Sequence, residues 1–508
     1  MRRPLLFTAL CLVLSLAALA PSIMDSYNMA GSARYVGASW TGRESLYVHQ
    51  SNQGRIWLKV LLKPIGDMPA DATGDAGGEA QGMATDGDYL YIVGPALSFN
   101  GTFIAKLRAS DGKLIWFKVI NRTCEHSGII LYGGYIYIFI AYKLGGWGLY
   151  QESLFLKLRA SDGKLIWSTK IEGVYVKDIA AYRGYLYATG WIRENGFDCC
   201  IIKLRLSDGS PQWYASHGRM VPWMKHFGGD GAEAGNAIAV RGNAIYLAGS
   251  TTSSSFLAGT RPGSNGFFAV ISTAPKSSGF LRTISGTVSV KDIAVYGDYI
   301  YLAGKTDHGG FIAKVDSRNY RVCWFKTFRV ERGYCTDIVP VGRYVYVRVF
   351  LGLSPIFFIA RVYDQNGSLH FIRTLGSPIK TIRSIIAYDN YLYIAGEASC
   401  SETTSYVPNA YVARMSLEYL SGSNPKSLEW SGSEEWPSVY ASPSVIPYSE
   451  ATVSMRRFTL TPQTLNKSFG HFSRHIMISD ETRDVGVHSA YYPEALLLVS
   501  TDKASYME

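Results

Sequence analysis

The adjacent Cys199 and Cys200 are the residues of this 508-residue chain whose spacing first suggests chemistry, as a redox pair. They open the run "CCIIKLRL", which reads as a strand, and a strand sends successive side chains to opposite faces. Two separate disulfides or two buried thiols are therefore the expected state of the pair. Cys323 and Cys335 bracket a short strand and the connection after it, a spacing suited to a local disulfide. Six cysteines follow residue 20 (124, 199, 200, 323, 335 and 400), and six allow fifteen pairings. No CxxC occurs, which argues against a thiolate zinc site. His471 and His475 have the i, i+4 spacing of a helical metal pair. They lack the Glu of a zinc protease between them, and their Ser, Phe and Gly neighbours do not read as helix. No GxSxG elbow of the serine hydrolases is present. No catalytic set and no metal site is assigned.

Residues that could bind rather than react are placed by the repeat that positions them. A segment of the form "DIAxxGxYLYxxG" recurs, followed after a variable stretch by "FIAKLRxSDGKLIW". Its beat is the second Tyr of each "YxY": Tyr91, Tyr137, Tyr187, Tyr246, Tyr301, Tyr346 and Tyr393, spaced 45 to 59 residues apart. Each unit holds four short apolar runs separated by turn signals; "DIAAYRG" from Asp178, "YLYATGW", "CCIIKLRL" and "PQWYAS" are one set. Four antiparallel strands with two apolar faces must bury both faces on neighbouring copies, and radial closure does so. The 35 Tyr and 51 Gly suit strands and tight turns. The expected fold is all-β, a β-propeller of four-stranded blades. Seven units are complete, and a degenerate eighth runs from Arg34 to Leu62, with "EALLLVS" from Glu494 as a candidate for its missing strand. Eight blades is the first expectation and seven the second, with the repeats spanning 34–432.

The segment from Ala234 to Phe256, with Gly228-Gly229-Asp230 before it, resembles the SBBP-type propeller repeat of exported bacterial and archaeal proteins, as do "DIAVYGDYIYLAGKT" and "GGFIAKVDS". The "LRASDGKLIW" runs ending at Trp116 and Trp167 are similar to the PQQ-like propeller repeat. The resemblance covers most of Gly82 to Gly422. It implies architecture and leaves activity open, because such folds host unrelated roles. It also sets Cys199-Cys200 beside the vicinal disulfide over the cofactor of PQQ-dependent alcohol dehydrogenases, but the calcium ligands and catalytic carboxylate of those enzymes are not recognisable. The Ser-Asp-Gly turns differ from sialidase Asp-boxes, being contiguous, and are expected to be two-residue hairpins.

Turns between strands one and two and between three and four are tight, and in an antiparallel blade both lie on one face of the disc. The long connections, such as "YKLGGWGLYQES" from Tyr142 and "HGRMVPWMKHFGGDGAEAG" from His217, must lie on the other. Long loops on a rigid scaffold carry binding, so that face is the expected site. Trp147, Trp191, Trp223 and His226 fall in or beside these loops, where they would stack on sugars or partner side chains or pack the loops down.

Arg2 and Arg3 before the apolar run Leu5–Ala20 read as a signal peptide (1–20) cleaved near Ala20. Secretion or cell-surface display follows, with no membrane span in the mature chain. Sequons at Asn100, Asn121, Asn366 and Asn466 agree with export. The stretch 433–508 begins Ser/Pro-rich and ends in a few strands that would close the last blade or form an appendage. The net charge of +10 is spread singly over repeat positions such as Lys106, Lys157, Lys203 and Lys314, which argues against nucleic acid. The reading is a monomeric extracellular binding scaffold for protein or glycan, without a cofactor. The alternative is an exported enzyme, either a quinone (PQQ)- or calcium-dependent oxidoreductase or a glycan-active hydrolase or lyase. The sequence leans against an enzyme.

Overall fold

A computed structural model describes residues 78–417 apart from several stretches between strands, together with strands at 33–36, 48–51, 56–60, 448–450, 455–460, 463–464 and 478–481. Its strands form seven four-stranded antiparallel blades, at 82–120, 126–172, 174–227, 233–284, 287–329, 334–374 and 379–416, the last completed by 56–60. The first strand of each blade is innermost and touches its counterparts on both sides. The ring is closed, and seven apolar clusters fill its seven blade interfaces.

The expected eighth blade is corrected to seven. The unit after Arg34 builds no blade of its own: Ile56–Val60 pairs with Pro408–Ser416 as the fourth strand of blade 7. Trp57 stands opposite Arg414 there, as Trp167 stands opposite Lys157 and Trp324 opposite Lys314. The run "GRIW" thus supplies the "GKLIW" strand that the seventh unit lacks. The strands Val48–Ser51 and Ala33–Val36 extend this sheet outwards. "EALLLVS" lies outside the described residues. The C-terminal strands Tyr448–Glu450, Met455–Leu460, Gln463–Thr464 and Ile478–Glu481 pair with the outer edges of blades 5, 4, 3 and 1.

The repeat motif is an inter-blade latch. Each beat tyrosine is buried, and outside blade 4, where Val270 stands opposite Tyr246, the basic residue opposite it on the third strand lies over the first Tyr of the same "YxY". Lys106, Lys157, Lys203 and Lys314 hold Nζ 3.9, 4.0, 4.2 and 3.8 Å from the ring centres of Tyr89, Tyr135, Tyr185 and Tyr299, a favourable cation–π geometry. Each then donates across to the next blade: Lys106 to Ala160 O (3.0 Å), Lys157 to Leu206 O (2.8 Å), Lys203 to Thr273 O (3.2 Å) and Lys314 to Asp364 O (3.2 Å). Trp167 Nε1 and Trp324 Nε1 donate to the same carbonyls as their lysines. Burial lowers the pKa of Lys106 and Lys157 and brings Lys203 down to about 8.

The Ser-Asp-Gly turns are longer than the two residues expected. Arg108 N donates to Lys113 O (2.7 Å) and Gly112 N to Arg108 O (2.8 Å), so four residues, 109–112, make the bend. Gly112 takes φ +69°, and Asp111 Oδ1 accepts from Lys113 N.

No disulfide joins Cys323 to Cys335, and none forms among the five described cysteines. Cys323 is on the outermost strand of blade 5, near its tight-turn end. Cys335 is buried at the start of the innermost strand of blade 6, at the opposite end. A blade's width and height separate the two, so short sequence spacing does not bring the sulfurs together. Cys199 and Cys200 are both fully buried and belong to different blade interfaces, 3/4 and 2/3, as strand alternation requires. They form no vicinal-disulfide platform for a quinone.

Candidate functional site

The long-loop end of the central channel gathers the polar groups that the latch does not use. Its geometry starts from a glycine. In five blades the residue three after the beat tyrosine is Gly94, Gly190, Gly249, Gly304 or Gly396. A Cβ at these positions would meet the innermost strand's carbonyl oxygens of Glu79, Tyr175, Ala234, Ser289 and Thr381 at 1.8, 1.9, 2.2, 2.2 and 2.2 Å. That close approach accompanies a β-bulge in the innermost strands of blades 3, 4, 5 and 7, where Lys177, Asn236, Lys291 and Arg383 are left without a cross-strand partner. Blade 2 carries Ile140 in place of the glycine, and its innermost strand keeps unbroken register.

Polar side chains of the preceding blades fix these bulges. His126 donates Nε2–H to Lys177 O (2.8 Å) and Asn236 Nδ2 donates to Val290 O (2.8 Å). Arg348 Nη1 donates to Ile382 O. His126 is held neutral, its pKa pushed down to about 4 chiefly by burial. Blades 3, 5 and 7 thereby present Lys177, Lys291 and Arg383. Arg383 is neutralised by Glu79 (Nε to Oε2 2.8 Å), and Lys143 at the same mouth by Glu125 (2.9 Å). Lys177 and Lys291, both half-buried, have no acidic partner among the described residues, and neither has Lys305 beside them. Burial lowers the pKa of both, Lys291 to about 8. The nearby charges that push further down are Lys143 for Lys177, and Lys177 and Lys305 for Lys291.

One residue further along, Asp178 and Asp292 clamp the ring. Asp178 accepts from Ile179 N (2.8 Å) and from Ile238 N of blade 4 (2.8 Å); Asp292 accepts from Ile293 N (2.8 Å) and Ile338 N of blade 6 (2.6 Å). Asp337 is paired with Arg348 (2.6 Å). Burial and mutual repulsion raise the pKa of Asp178 to about 8, and burial raises Asp337 to about 6. Three carboxylates converging on a channel would suit acid–base work, but each is spent on a backbone or arginine partner. Among the described residues no group of His, Cys, Asp and Glu is arranged to hold a metal. A cleft of about 290 Å³ lies elsewhere, on the tight-turn face between blades 7 and 1, lined by Asp88, Tyr388, Tyr391 and Arg414 among others.

Of the residues expected to bind, Trp191 joins the site. It lies near the end of the second strand of blade 3, stacks on Tyr175 (ring centres 5.2 Å, 19° between planes), and takes the edge of Phe197 (4.8 Å, 89°). Phe197 is 41% exposed. Tyr175 donates to Glu125 Oε2 (3.4 Å), lies 5.3 Å under Lys143 Nζ, and precedes Lys177 by two residues on one strand. Aromatic stack and channel cations therefore adjoin. His226 lies on the outermost strand of blade 3, bound through Nδ1 to Asp198 Oδ2 (2.8 Å) and away from the channel. Trp223 is fully enclosed in the core between blades 3 and 4. Trp147 lies outside the described residues. The channel lysines were not singled out from the sequence; the available signal was "KDI" at Lys177 and Lys291, each followed by a "YxYxxG" strand.

No family model matches the chain and no curated protein matches it. Among solved structures it is similar to the WD40 domain of Neurospora crassa Pan2, at 11% identity and TM-score 0.42, covering 71% of this chain and 96% of that one. It is also similar to Kluyveromyces marxianus Hsv2 (8%, TM-score 0.38, 66% and 97%). A third likeness is to Trypanosoma rangeli sialidase (11%, TM-score 0.36, 68% and 55%). None of these likenesses carries an activity to this chain.

Proposed function

We propose that this chain is an exported binding scaffold, of the SBBP or PQQ-like repeat type, that presents its long-loop face to a protein or a glycan. The observation that carries the reading is the Tyr175–Trp191–Phe197 stack beside the channel-mouth cations. Exposed aromatic edges supply contact area at low entropic cost, and adjacent cations supply orientation. The third-strand lysines and the two channel aspartates Asp178 and Asp292 are engaged in latches and clamps that a scaffold requires. Among the described residues no helix is long and apolar enough to cross a membrane.

The test is capture on glycan and envelope-protein arrays by the purified chain, its Trp191→Ala variant and a Tyr296→Ala variant. Tyr296 is 48% exposed on the tight-turn face, so its loss should leave capture unchanged. Loss of capture with Trp191→Ala alone is the expected result. Loss with Tyr296→Ala alone would move recognition to the other face and sink the reading.

A further inference from the structure

We propose that the long-loop mouth of the central channel is a binding site for a dianionic tetrahedral oxyanion, a phosphate or sulfate group, held between Lys177 and Lys291 with Lys305 near Lys291. The inference rests on the reading of that face as the recognition face.

Three observations carry it. First, the cations are unbalanced. Lys177 and Lys305 act on Lys291, Lys143 acts on Lys177, and no carboxylate is among the charges that act on Lys177 or Lys291, whereas Lys143 and Arg383 at the same mouth each have an acidic partner within 2.9 Å. Like charges brought together in a half-buried channel raise the energy of the empty site, and a dianion relieves it.

Second, the lysines are held there by construction. The bulges that present them depend on Gly190 and Gly304, whose added Cβ would lie 1.9 and 2.2 Å from the carbonyl oxygens of Tyr175 and Ser289. His126 and Asn236, from the neighbouring blades, fix the carbonyls of Lys177 and Val290. Side chains placed on a pinned backbone lose less entropy on binding than free surface lysines.

Third, the nearby carboxylates do not compensate them. Asp178 and Asp292 follow the two lysines directly in sequence, but both are turned to backbone N–H groups of their own and the next blade. Two separate ammonium groups act as point charges, and a dianion balances both where a single carboxylate balances one.

The experiment measures the thermal unfolding midpoint of the full chain against inorganic phosphate and sulfate, with chloride at matched ionic strength. A saturable rise in the wild type that chloride does not reproduce is expected. The Lys177→Met, Lys291→Met double variant should lose at least about tenfold in apparent affinity for both anions. Its midpoint in chloride should equal or exceed that of the wild type, because the repulsion is gone, so misfolding cannot explain the loss. Competition for the site by heparin but not by desulfated heparin assigns the anion to a glycan ester. Competition by neither assigns it to a free anion, and both results keep the site. Equal phosphate and chloride responses in the wild type, or an undiminished phosphate response in the double variant, overturn the proposal. Those outcomes leave capture through Trp191 untouched, so the scaffold reading fails or stands on its own measurement.

Discussion

Replacing Gly304 by alanine isolates the link between repeat and channel. Gly304 lacks the positive φ that only glycine tolerates well, so alanine meets no backbone penalty there. Its methyl would sit 2.2 Å from Ser289 O and 2.6 Å from Phe311 Cε1, where an ordinary contact begins at 3.4 Å. The Phe311 ring can turn, but the Ser289 carbonyl is backbone and must retreat by a little over 1 Å. Forced overpacking of this kind costs about 1–3 kcal/mol. The loss of unfolded-chain freedom on Gly→Ala returns about 0.4–1 kcal/mol. A net destabilisation of about 1–2 kcal/mol is expected, read as a lowered urea midpoint by tryptophan fluorescence and circular dichroism. The bulge that presents Lys291 should flatten with it, and the phosphate-dependent rise in thermal midpoint should shrink. Leu302→Ala, a fully buried residue on the same strand, should cost as much or more yet keep the phosphate response. A Gly304→Ala protein with the wild-type urea midpoint, or with an intact phosphate response, would refute the reasoning that the glycine builds the bulge.

Three further outcomes follow from the latch, the clamp and the thiols. Lys157→Met removes the 2.8 Å bond to Leu206 O and the contact over Tyr135, while Trp167 Nε1 keeps its 3.1 Å bond to the same carbonyl. A destabilisation of about 1–2 kcal/mol in urea is expected, and a more stable variant would show the latch to be a liability. The carboxyl of Asp178, pushed up to about 8 by burial and then by Asp292 and Asp337, prefers its proton in the folded state. Its stabilising contribution is complete below the ordinary carboxylate range and falls as pH rises from about 4 to 8, by up to about 1.4 kcal/mol per pH unit. Stability of the wild type relative to Asp178→Asn should therefore decline across that window, and a parallel pair of curves would mean an ionised carboxylate throughout. Native-state labelling with a thiol reagent should modify the exposed Cys323 and spare Cys124, Cys199, Cys200 and Cys335, all buried. Cys323→Ser should then abolish labelling at that site, and rapid labelling of Cys335 would contradict its enclosure.

The architecture was readable because the latch is written into every unit but the fourth, where Val270 faces Tyr246 and Ala244 replaces the first Tyr. "YxY", the third-strand Lys and the terminal Trp recur together because all three meet at one blade interface. The beat tyrosines gave the blade count of seven, and the extra blade came from treating "GRIWLKVLL" as an independent unit. Its Trp57 occupies the register that Trp167 and Trp324 hold in complete blades, which identifies it as a displaced fourth strand. A chain ring that closes with a strand from far upstream must show one unit short of a strand and one strand short of a unit. The Cys323–Cys335 expectation failed on the same topology, since twelve residues of sequence cross from the outer edge of one blade to the inner edge of the next. The channel lysines stayed hidden because bulges shift strand parity by one residue. Simple alternation therefore assigns Lys177 and Lys291 to the wrong side of their strands. Only the paired observation of a bulge and a glycine opposite it reveals where they point.

The same distinction decides what the basic balance of the chain means. A sequence pI near 9.0 invites a reading in terms of long-range attraction to polyanions. Yet Lys106, Lys157, Lys203, Lys314, Arg361 and Arg414 are buried over tyrosine rings between blades, where their charge is spent locally. Much of the excess is therefore internal mortar rather than surface field. What remains for recognition is a few cations that depart from the repeat, and their effect is short-ranged and geometric. A partner selected this way should be distinguished by the group it inserts into the channel mouth, not by its overall charge. Added salt should then weaken its binding far less than it weakens adsorption to a uniformly basic surface, because partly buried charges are screened less than exposed ones.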